Sequence, residues 1–131
     1  MIVVDASVVV ELLIEGPLAD EIRITLNENS GETLAPHLLD VEVISALRNL
    51  LNGNRIDQSQ CKLLLLELSN FPAERYGHTA LLSRIWDLRH NFTAYDAAYI
   101  ALAEATGATL VTCDKRLRKG HRARIKVFAP S

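Results

Sequence analysis

The chain has 131 residues, 49% of them hydrophobic and 23% charged, and a formal net charge of −2. These values are typical of a soluble globular protein and predict one domain over residues 1–131, with no second domain required. The two cysteines, Cys61 and Cys113, have neither the spacing of a metal site nor that of a disulfide framework, which predicts reduced thiols and a cytoplasmic protein.

The hydrophobic N-terminus, MIVVDASVVVELLIEG, has the composition of a signal peptide but not its organisation. No basic segment precedes the apolar residues, Asp5 and Glu11 interrupt them, and no small-residue cleavage site follows. No apolar run in the chain is long enough to cross a bilayer. We therefore predict that these residues form the first strand and helix of the domain, and that the protein has no membrane partner.

Hydrophobic periodicity and turn residues predict strands that alternate with helices. In chain order, the pattern predicts strand 2–4, helices 6–15 and 18–29, strand 33–35, helices 38–51 and 57–69, strand 73–76, helices 78–90 and 93–105, and strands 109–113 and 125–128. This alternation is typical of a three-layer α/β/α fold, in which helices cover both faces of a central, mainly parallel sheet. In such sheets ligands bind beyond the carboxyl ends of the strands.

The helices at 38–51 and 57–69 are predicted to form a hairpin, and Asp57 with Gln60 forms a capping box at the start of the second helix. This second helix carries four consecutive leucines at 63–66, which is much apolar surface for a small domain. We expect most of these leucines to lie in the core. The alternative is that they line a groove for a partner helix.

Four acidic residues are predicted to meet at the ligand-binding edge of the sheet. Asp5 and Asp114 each end a predicted strand, while Glu42 and Asp96 lie at the start of helices that leave the same edge. Taken singly, each acid has a structural explanation. Asp5 could be an N-cap, and Asp96 could form a capping box with Thr93. Glu42 could complement a helix dipole, and Asp114 could start a turn. Such structural roles do not require the acids to lie at one edge of the sheet. They also do not require apolar residues beside Glu42 and Asp96.

A cluster of carboxylates among apolar side chains is costly unless a cation neutralises it. Carboxylate oxygens are hard ligands, so this set suits Mg²⁺ or Mn²⁺ rather than zinc. A hydrated divalent ion polarises a phosphoryl oxygen and supplies or orients a hydroxide for in-line attack. The pattern therefore favours hydrolysis of phosphate esters.

Basic residues concentrate near the C-terminus. Seven of the 14 Lys and Arg residues lie between positions 115 and 126, namely Lys115, Arg116, Arg118, Lys119, Arg122, Arg124 and Lys126. This asymmetry is typical either of a polyanion partner or of a solvated surface, and the sequence leaves both open. The histidines show no ligand spacing and are expected on the surface or in loops: His37, His78, His90 and His121.

Three segments resemble PIN-domain proteins, and more closely the VapC toxins of bacterial toxin–antitoxin pairs: MIVVDAS, APHLLDVEVISALRNL and NFTAYDAAYIALAEATGATLVTCDKRL. The resemblance covers essentially the whole chain and places Asp5, Glu42, Asp96 and Asp114 at the four acidic positions of the family. It implies a sheet of about five parallel strands and a Mg²⁺-dependent endoribonuclease that hydrolyses RNA phosphodiester bonds, with Mn²⁺ as an alternative metal. It also implies a homodimer and a VapB-type antitoxin that blocks the site.

The resemblance also implies roles for the four acids. Asp5 and Asp96 are the first choices for binding the metal, directly or through water. Glu42 and Asp114 complete the catalytic set, and one of them helps to deprotonate the attacking water. Asp40 is expected to be a helix-start acid rather than a ligand.

Other residues near these acids are candidates for supporting roles. Ser7 and Thr112 are expected either to hydrogen-bond the acids or metal-bound water, or to be a helix-start hydroxyl and an ordinary strand residue. The basic side chains that follow Asp114 are candidates for contacts with RNA phosphates, with Arg89 as a further candidate. The candidates after Asp114 are Lys115, Arg116, Arg118 and Lys119.

Two other functions compete with this interpretation. The first is a binding module that keeps the PIN fold and is catalytically silent, although all four acids are present. The second is a phosphoacceptor receiver domain, which is also small, α/β and Mg²⁺-binding. A receiver needs an acidic pair after its first strand, whereas here a lone Asp5 ends that strand.

Overall fold

The structure is a computed structural model that describes residues 1–130. The strands are β1 (Ile2–Val4), β2 (Thr33–Pro36), β3 (Glu74–Tyr76), β4 (Thr109–Thr112) and β5 (Ile125–Val127). The α-helices are α1 (Ala6–Leu13), α2 (Ala19–Glu28), α3 (Leu38–Asn52), α4 (Gln58–Ser69), α5 (Leu82–Asp87) and α6 (Ala94–Thr106). Two 3₁₀ turns cover Thr79–Leu81 and Lys115–Arg118. The predicted fold is confirmed.

The five strands form one sheet in the order β3-β2-β1-β4-β5, and all four pairings are parallel. The chain moves outward from β1 to β2 and β3, then returns to the other side of β1 for β4 and β5. The strand order therefore reverses between β1 and β4, where Val4 lies opposite Val111. In open parallel sheets such a reversal opens a crevice at the carboxyl ends of the two strands.

Helices cover the sheet on both faces, as right-handed crossovers require. Helix α6 packs against β1, β2 and β4, and α5 lies beside α6. Helices α1 to α4 pack against one another on the other side of the sheet, where α1 contacts β4 and α3 contacts β2.

The apolar composition of helix α6 follows from its position in the fold. Residues 97–103 are all buried, so the helix is apolar around most of its circumference because the sheet and α5 enclose it. It ends at Gly107, whose φ of 73° is left-handed, a conformation that glycine adopts without steric cost. This turn leads the chain directly into β4.

Most predicted boundaries agree with the structure. The capping box of Asp57 and Gln60 at the start of α4 is present in both directions. Helix α1 ends at Leu13, two residues before the predicted end, because Glu15 adopts a left-handed φ of 55°. Cys61 and Cys113 are free thiols. Over residues 1–130, none of the helices combines the length and apolar character needed to cross a bilayer.

Two predictions about helices were wrong. The predicted helix 78–90 is a 3₁₀ turn followed by the short α5, and Leu82 and Trp86 point largely into solvent, with 57% and 65% of their surface exposed. The four leucines at 63–66 do not lie mostly in the core either, since only Leu64 is buried. Leu64 and Leu68 form the buried stripe of α4, and a single stripe cannot hold four consecutive residues.

Candidate active site

Asp5 lies directly after β1, at the reversal point of the sheet, and its side chain is 6% exposed. It is the N-cap of α1, with Oδ1 accepting a hydrogen bond from the Val8 backbone N–H at 3.2 Å. The same oxygen accepts from the Ser7 hydroxyl at 2.6 Å, and Oδ2 accepts from the Thr112 hydroxyl at 2.5 Å. Protein donors therefore fix both carboxylate oxygens.

Burial raises the pKa of Asp5 from its usual value near 3.8 to about 6, and the negative charge of Asp96 adds a smaller contribution. The hydrogen bonds from Ser7, Thr112 and Val8 oppose this increase, because they favour the ionised form. A nearby cation would strongly stabilise the ionised form of such a poorly hydrated carboxylate.

Ser7 and Thr112 connect Asp5 to the end of β4. The Ser7 hydroxyl accepts from the backbone N–H of Cys113 at 3.0 Å, and the Thr112 hydroxyl accepts from the backbone N–H of Asp114 at 3.0 Å. Each hydroxyl thus accepts a hydrogen bond from the backbone directly after β4 and donates a hydrogen bond to Asp5. The network positions Asp5 relative to the segment that carries Asp114.

Asp96 lies in the first turn of α6 and is partly buried. The Thr93 side chain caps this helix by accepting from the Asp96 backbone N–H at 3.2 Å. Burial raises the pKa of Asp96, and the nearby charge of Asp114 raises it further, while Arg116 acts in the opposite direction. The charge of Asp96 acts on Asp5 as well, so Asp96 interacts electrostatically with both Asp5 and Asp114.

Asp114 follows β4 and caps the 3₁₀ turn at Lys115–Arg118. Its carboxylate is paired with Arg116, whose Nη2 lies 2.6 Å from Oδ2 and whose Nε lies 3.1 Å from each carboxylate oxygen. The Arg116 guanidinium holds the pKa of Asp114 below its usual value. Arg116 therefore supplies positive charge to this end of the cluster.

Glu42 lies on α3 and is bound by a residue that sequence reasoning did not identify. The Tyr99 hydroxyl donates a hydrogen bond of 2.6 Å to Glu42 Oε1. Burial, followed by Glu42 itself, raises the pKa of Tyr99 above its usual range, so the hydroxyl remains a donor. Tyr99 lies three residues after Asp96, which places both on one face of α6. That spacing is the only signal of this contact in the sequence.

The predicted acids thus surround one end of the sheet, but they do not form a preorganised metal-binding site. Within residues 1–130, no group of three or more His, Cys, Asp or Glu side chains is placed closely enough to hold a metal ion. Instead, Asp5 is held by two hydroxyls, Glu42 by Tyr99 and Asp114 by Arg116. Asp40 lies apart from this set, in an ion pair with Arg75 at 2.9 Å.

Six of the seven basic residues near the C-terminus divide into two groups. The side chains of Arg124 and Lys126 bind protein oxygens, those of Gly107 and Thr25 respectively. The other group is exposed beside Asp114 and includes Lys115, Arg118 and Lys119, together with Arg116 in its ion pair.

Two further predicted positions have local contacts. Arg89 lies over the ring of Trp86 at 4.4 Å, in a cation–π contact. Of the histidines, His78 accepts a hydrogen bond from the Leu38 backbone N–H at 3.1 Å, so it helps to begin α3.

The strand order, Asp5 at the reversal point of the sheet and the acids around it define a class of protein. A family model described as PIN domain matches residues 2–122, so the chain belongs to the PIN-domain family. Ribonuclease VapC1 of Mycobacterium tuberculosis is 43% identical over 117 residues, covering 88% of this chain and 86% of the relative. Ribonuclease VapC12 of the same species is 37% identical over 132 residues, covering 98% of this chain and 100% of the relative. Within the PIN-domain family, the chain groups with the VapC ribonucleases.

A solved structure has the same fold. It is the crystal structure of VapBC2 from Rickettsia felis bound to a DNA fragment from their promoter. A chain of that structure superposes with a TM-score of 0.68 at 16% identity, covering 98% of this chain and 99% of that chain.

Proposed function

We propose that this protein is a metal-dependent endoribonuclease, the toxin of a VapB–VapC pair, and that it hydrolyses phosphodiester bonds in RNA. The observation that carries the proposal is Asp5. This carboxylate is buried at the reversal point between β1 and β4, has its pKa raised to about 6, and is influenced by the charge of Asp96. The VapC ribonucleases among its relatives support the same reaction class.

The donor set fits a hard divalent ion, which we propose to be Mg²⁺, with Mn²⁺ as an alternative. The candidate ligands are carboxylate oxygens, and the pKa of both Asp5 and Asp96 is raised above its usual value, mainly by burial. Asp5 and Asp96 would hold the ion. When bound, the ion would polarise the phosphoryl oxygen and lower the pKa of water.

The other residues of the site would orient the reactants. Ser7 and Thr112 keep the carboxylate of Asp5 in a fixed orientation, and Tyr99 does the same for Glu42. Glu42 or Asp114 would accept the proton of the attacking water. The exposed Lys115, Arg118 and Lys119 would bind the phosphates on either side of the cleaved bond.

Cleavage of RNA by the purified protein tests this proposal. We expect cleavage with Mg²⁺, no cleavage with EDTA, and a loss of at least about 100-fold in Asp5→Asn and Asp96→Asn. Asp20→Asn is the matched control, because that side chain is 96% exposed on α2. Cleavage that persists in both site variants would overturn the site assignment. A folded protein that binds RNA but never cleaves it would instead be the catalytically silent module.

We propose that the antitoxin binds a groove between the α1–α2 and α3–α4 helix pairs. Two adjoining clefts of about 470 and 450 Å³ share Leu13, Glu15 and Glu67. Leu63 lines one cleft with 59% of its surface exposed, an apolar surface suited to a partner helix.

Co-expression and co-purification with a candidate VapB-type antitoxin test the groove. Leu63→Asp should abolish co-purification. Leu66→Asp is the matched control, since Leu66 is also 59% exposed on α4 but does not line either cleft. Equal retention of the antitoxin by both variants would exclude the groove.

We further propose a homodimer in the cytoplasm. The free thiols Cys61 and Cys113 fit the reducing cytoplasm. Light scattering of the purified protein measures the mass directly.

A further inference from the structure

A cleft of about 560 Å³ opens beside the candidate active site, between α3 and the start of α6. We name it the Tyr95 cleft, and its lining includes Leu38, Val41, Glu42, Ser45, Asn49 and Tyr95. Because Glu42 belongs both to this cleft and to the acidic set, a ligand in the cleft lies next to the reacting groups. Its volume is within the range of small-molecule sites, about 300–1,000 Å³.

One face of α3 forms a wall of the cleft. Glu42, Ser45 and Asn49 follow one another at intervals of three and four residues, so their side chains lie on the same side of the helix. Ser45 offers a hydroxyl, and Asn49 offers both an amide donor and a carbonyl acceptor. These groups match the edge of a nucleobase, which presents donors and acceptors in the plane of its ring.

Tyr95 supplies a flat apolar surface on the other side. It directly precedes Asp96, lines the cleft, and keeps 59% of its surface exposed. The neighbouring Val41 is 61% exposed and lines the same cleft. Exposed aromatic rings beside a nucleic-acid backbone site are platforms on which bases stack.

We propose that the Tyr95 cleft binds a nucleobase of the RNA substrate next to the cleaved phosphate, an inference that rests on the proposed ribonuclease activity. The base stacks on Tyr95, and Ser45 and Asn49 contact its edge. Single-stranded RNA fits this arrangement, because its unstacked bases can enter a cleft while the phosphate remains at the acidic edge. The cleft therefore determines which nucleotide flanks the cleavage position.

Steady-state cleavage of a randomised RNA pool with Mg²⁺, combined with sequencing of the cut ends, tests the subsite. Tyr95→Ala should raise KM at least fivefold, whereas Tyr95→Phe should stay near the wild-type value because the ring is retained. Asn49→Ala should change the base preference at one position beside the cut. Leu82→Ala is the control, since Leu82 is 57% exposed but does not line the cleft.

The outcomes separate this inference from the proposed function. If the wild type cleaves no RNA, both fail. If the wild type cleaves RNA, and Tyr95→Ala and Asn49→Ala keep its KM and its cut-site pattern, the subsite alone is excluded. If Tyr95→Ala changes the oligomeric mass in light scattering without affecting KM, the face contacts a second copy of the chain and the subsite is also excluded.

Discussion

Thr112 and Asp5 are 107 residues apart in sequence, yet the Thr112 hydroxyl donates a 2.5 Å hydrogen bond to Asp5 Oδ2. The same hydroxyl accepts from the Asp114 backbone N–H at 3.0 Å. One side chain therefore connects the carboxyl ends of β1 and β4 and orients an acid at each of them. Because Thr112 is fully buried, water cannot substitute for the hydrogen bond that its hydroxyl donates.

Thr112→Val keeps the shape of the side chain and removes this hydrogen bonding. We expect the free energy of unfolding to fall by about 1–3 kcal/mol, because a buried carboxylate loses a donor and the Asp114 N–H loses its acceptor. Urea denaturation measures the change. Thr109→Val on the same strand is the control. An equal decrease in the free energy of unfolding in both variants would show that the hydrogen bonds of Thr112 do not contribute measurably to stability.

The pH dependence of stability should reveal the buried charge of Asp5. Its pKa is raised from about 3.8 to about 6 in the folded state, so between these values the folded protein binds a proton that the unfolded chain has released. The contribution of Asp5 to stability is therefore highest below pH 4 and falls as the pH rises through 6.

Asp5→Asn removes this titration. We expect the stability of the wild type relative to Asp5→Asn to decrease by roughly 2–3 kcal/mol between pH 4 and pH 7. The measurement is urea denaturation at several pH values in EDTA, with Asp20→Asn as the exposed control. A difference between wild type and Asp5→Asn that does not change with pH would contradict the raised pKa.

Arg116 should weaken the attraction of the acidic cluster for a divalent cation, because its positive charge lies beside Asp114 and acts on Asp96. Its side chain is 83% exposed, so the ion pair is screened by solvent and its removal has a modest effect. We expect Arg116→Met to lower the Mg²⁺ concentration needed for half-maximal thermal stabilisation by roughly two- to fivefold. Arg118→Met removes a neighbouring exposed charge without touching Asp114. The same decrease in both variants would point to net charge instead of the ion pair.

Tyr99 should matter for rate more than for substrate binding. Tyr99→Phe preserves the buried ring and removes the donor to Glu42, so we expect kcat to fall by about tenfold with KM unchanged, because Glu42 loses its fixed orientation. Tyr76→Phe is the control, since its hydroxyl lies near Glu74, outside the site. A rise in KM with unchanged kcat would instead assign Tyr99 to substrate binding.

The sequence predicted the fold because its signals are local. The apolar run before Asp5 and the run before Asp114 identify strands, and short connections between strands and helices imply parallel pairing. These observations also placed both acids at one edge. They could not give the strand order, because the pairing of β1 with β4 joins segments more than 100 residues apart, as in Ile2 with Thr109.

The contacts within the site were less predictable, because each depends on a side-chain direction. Arg116 was a candidate for contacts with RNA, and nothing in the sequence indicated that the 3₁₀ turn also brings its guanidinium onto Asp114. The bond between Tyr99 and Glu42 spans 57 residues and has no local signal beyond the spacing of Tyr99 from Asp96. The error at residues 63–66 had a different cause, since consecutive leucines on a helix cannot share one buried face.

The long separation between Asp5 and Thr112 has a consequence for synthesis on the ribosome. Translation makes β1 well before β4, so a nascent chain that still lacks β4 has no Thr112 or Asp114 to complete this network. A prematurely terminated product would lack them permanently. Under the proposed ribonuclease function, a chain can therefore cleave RNA only after β4 and Asp114 have been synthesised.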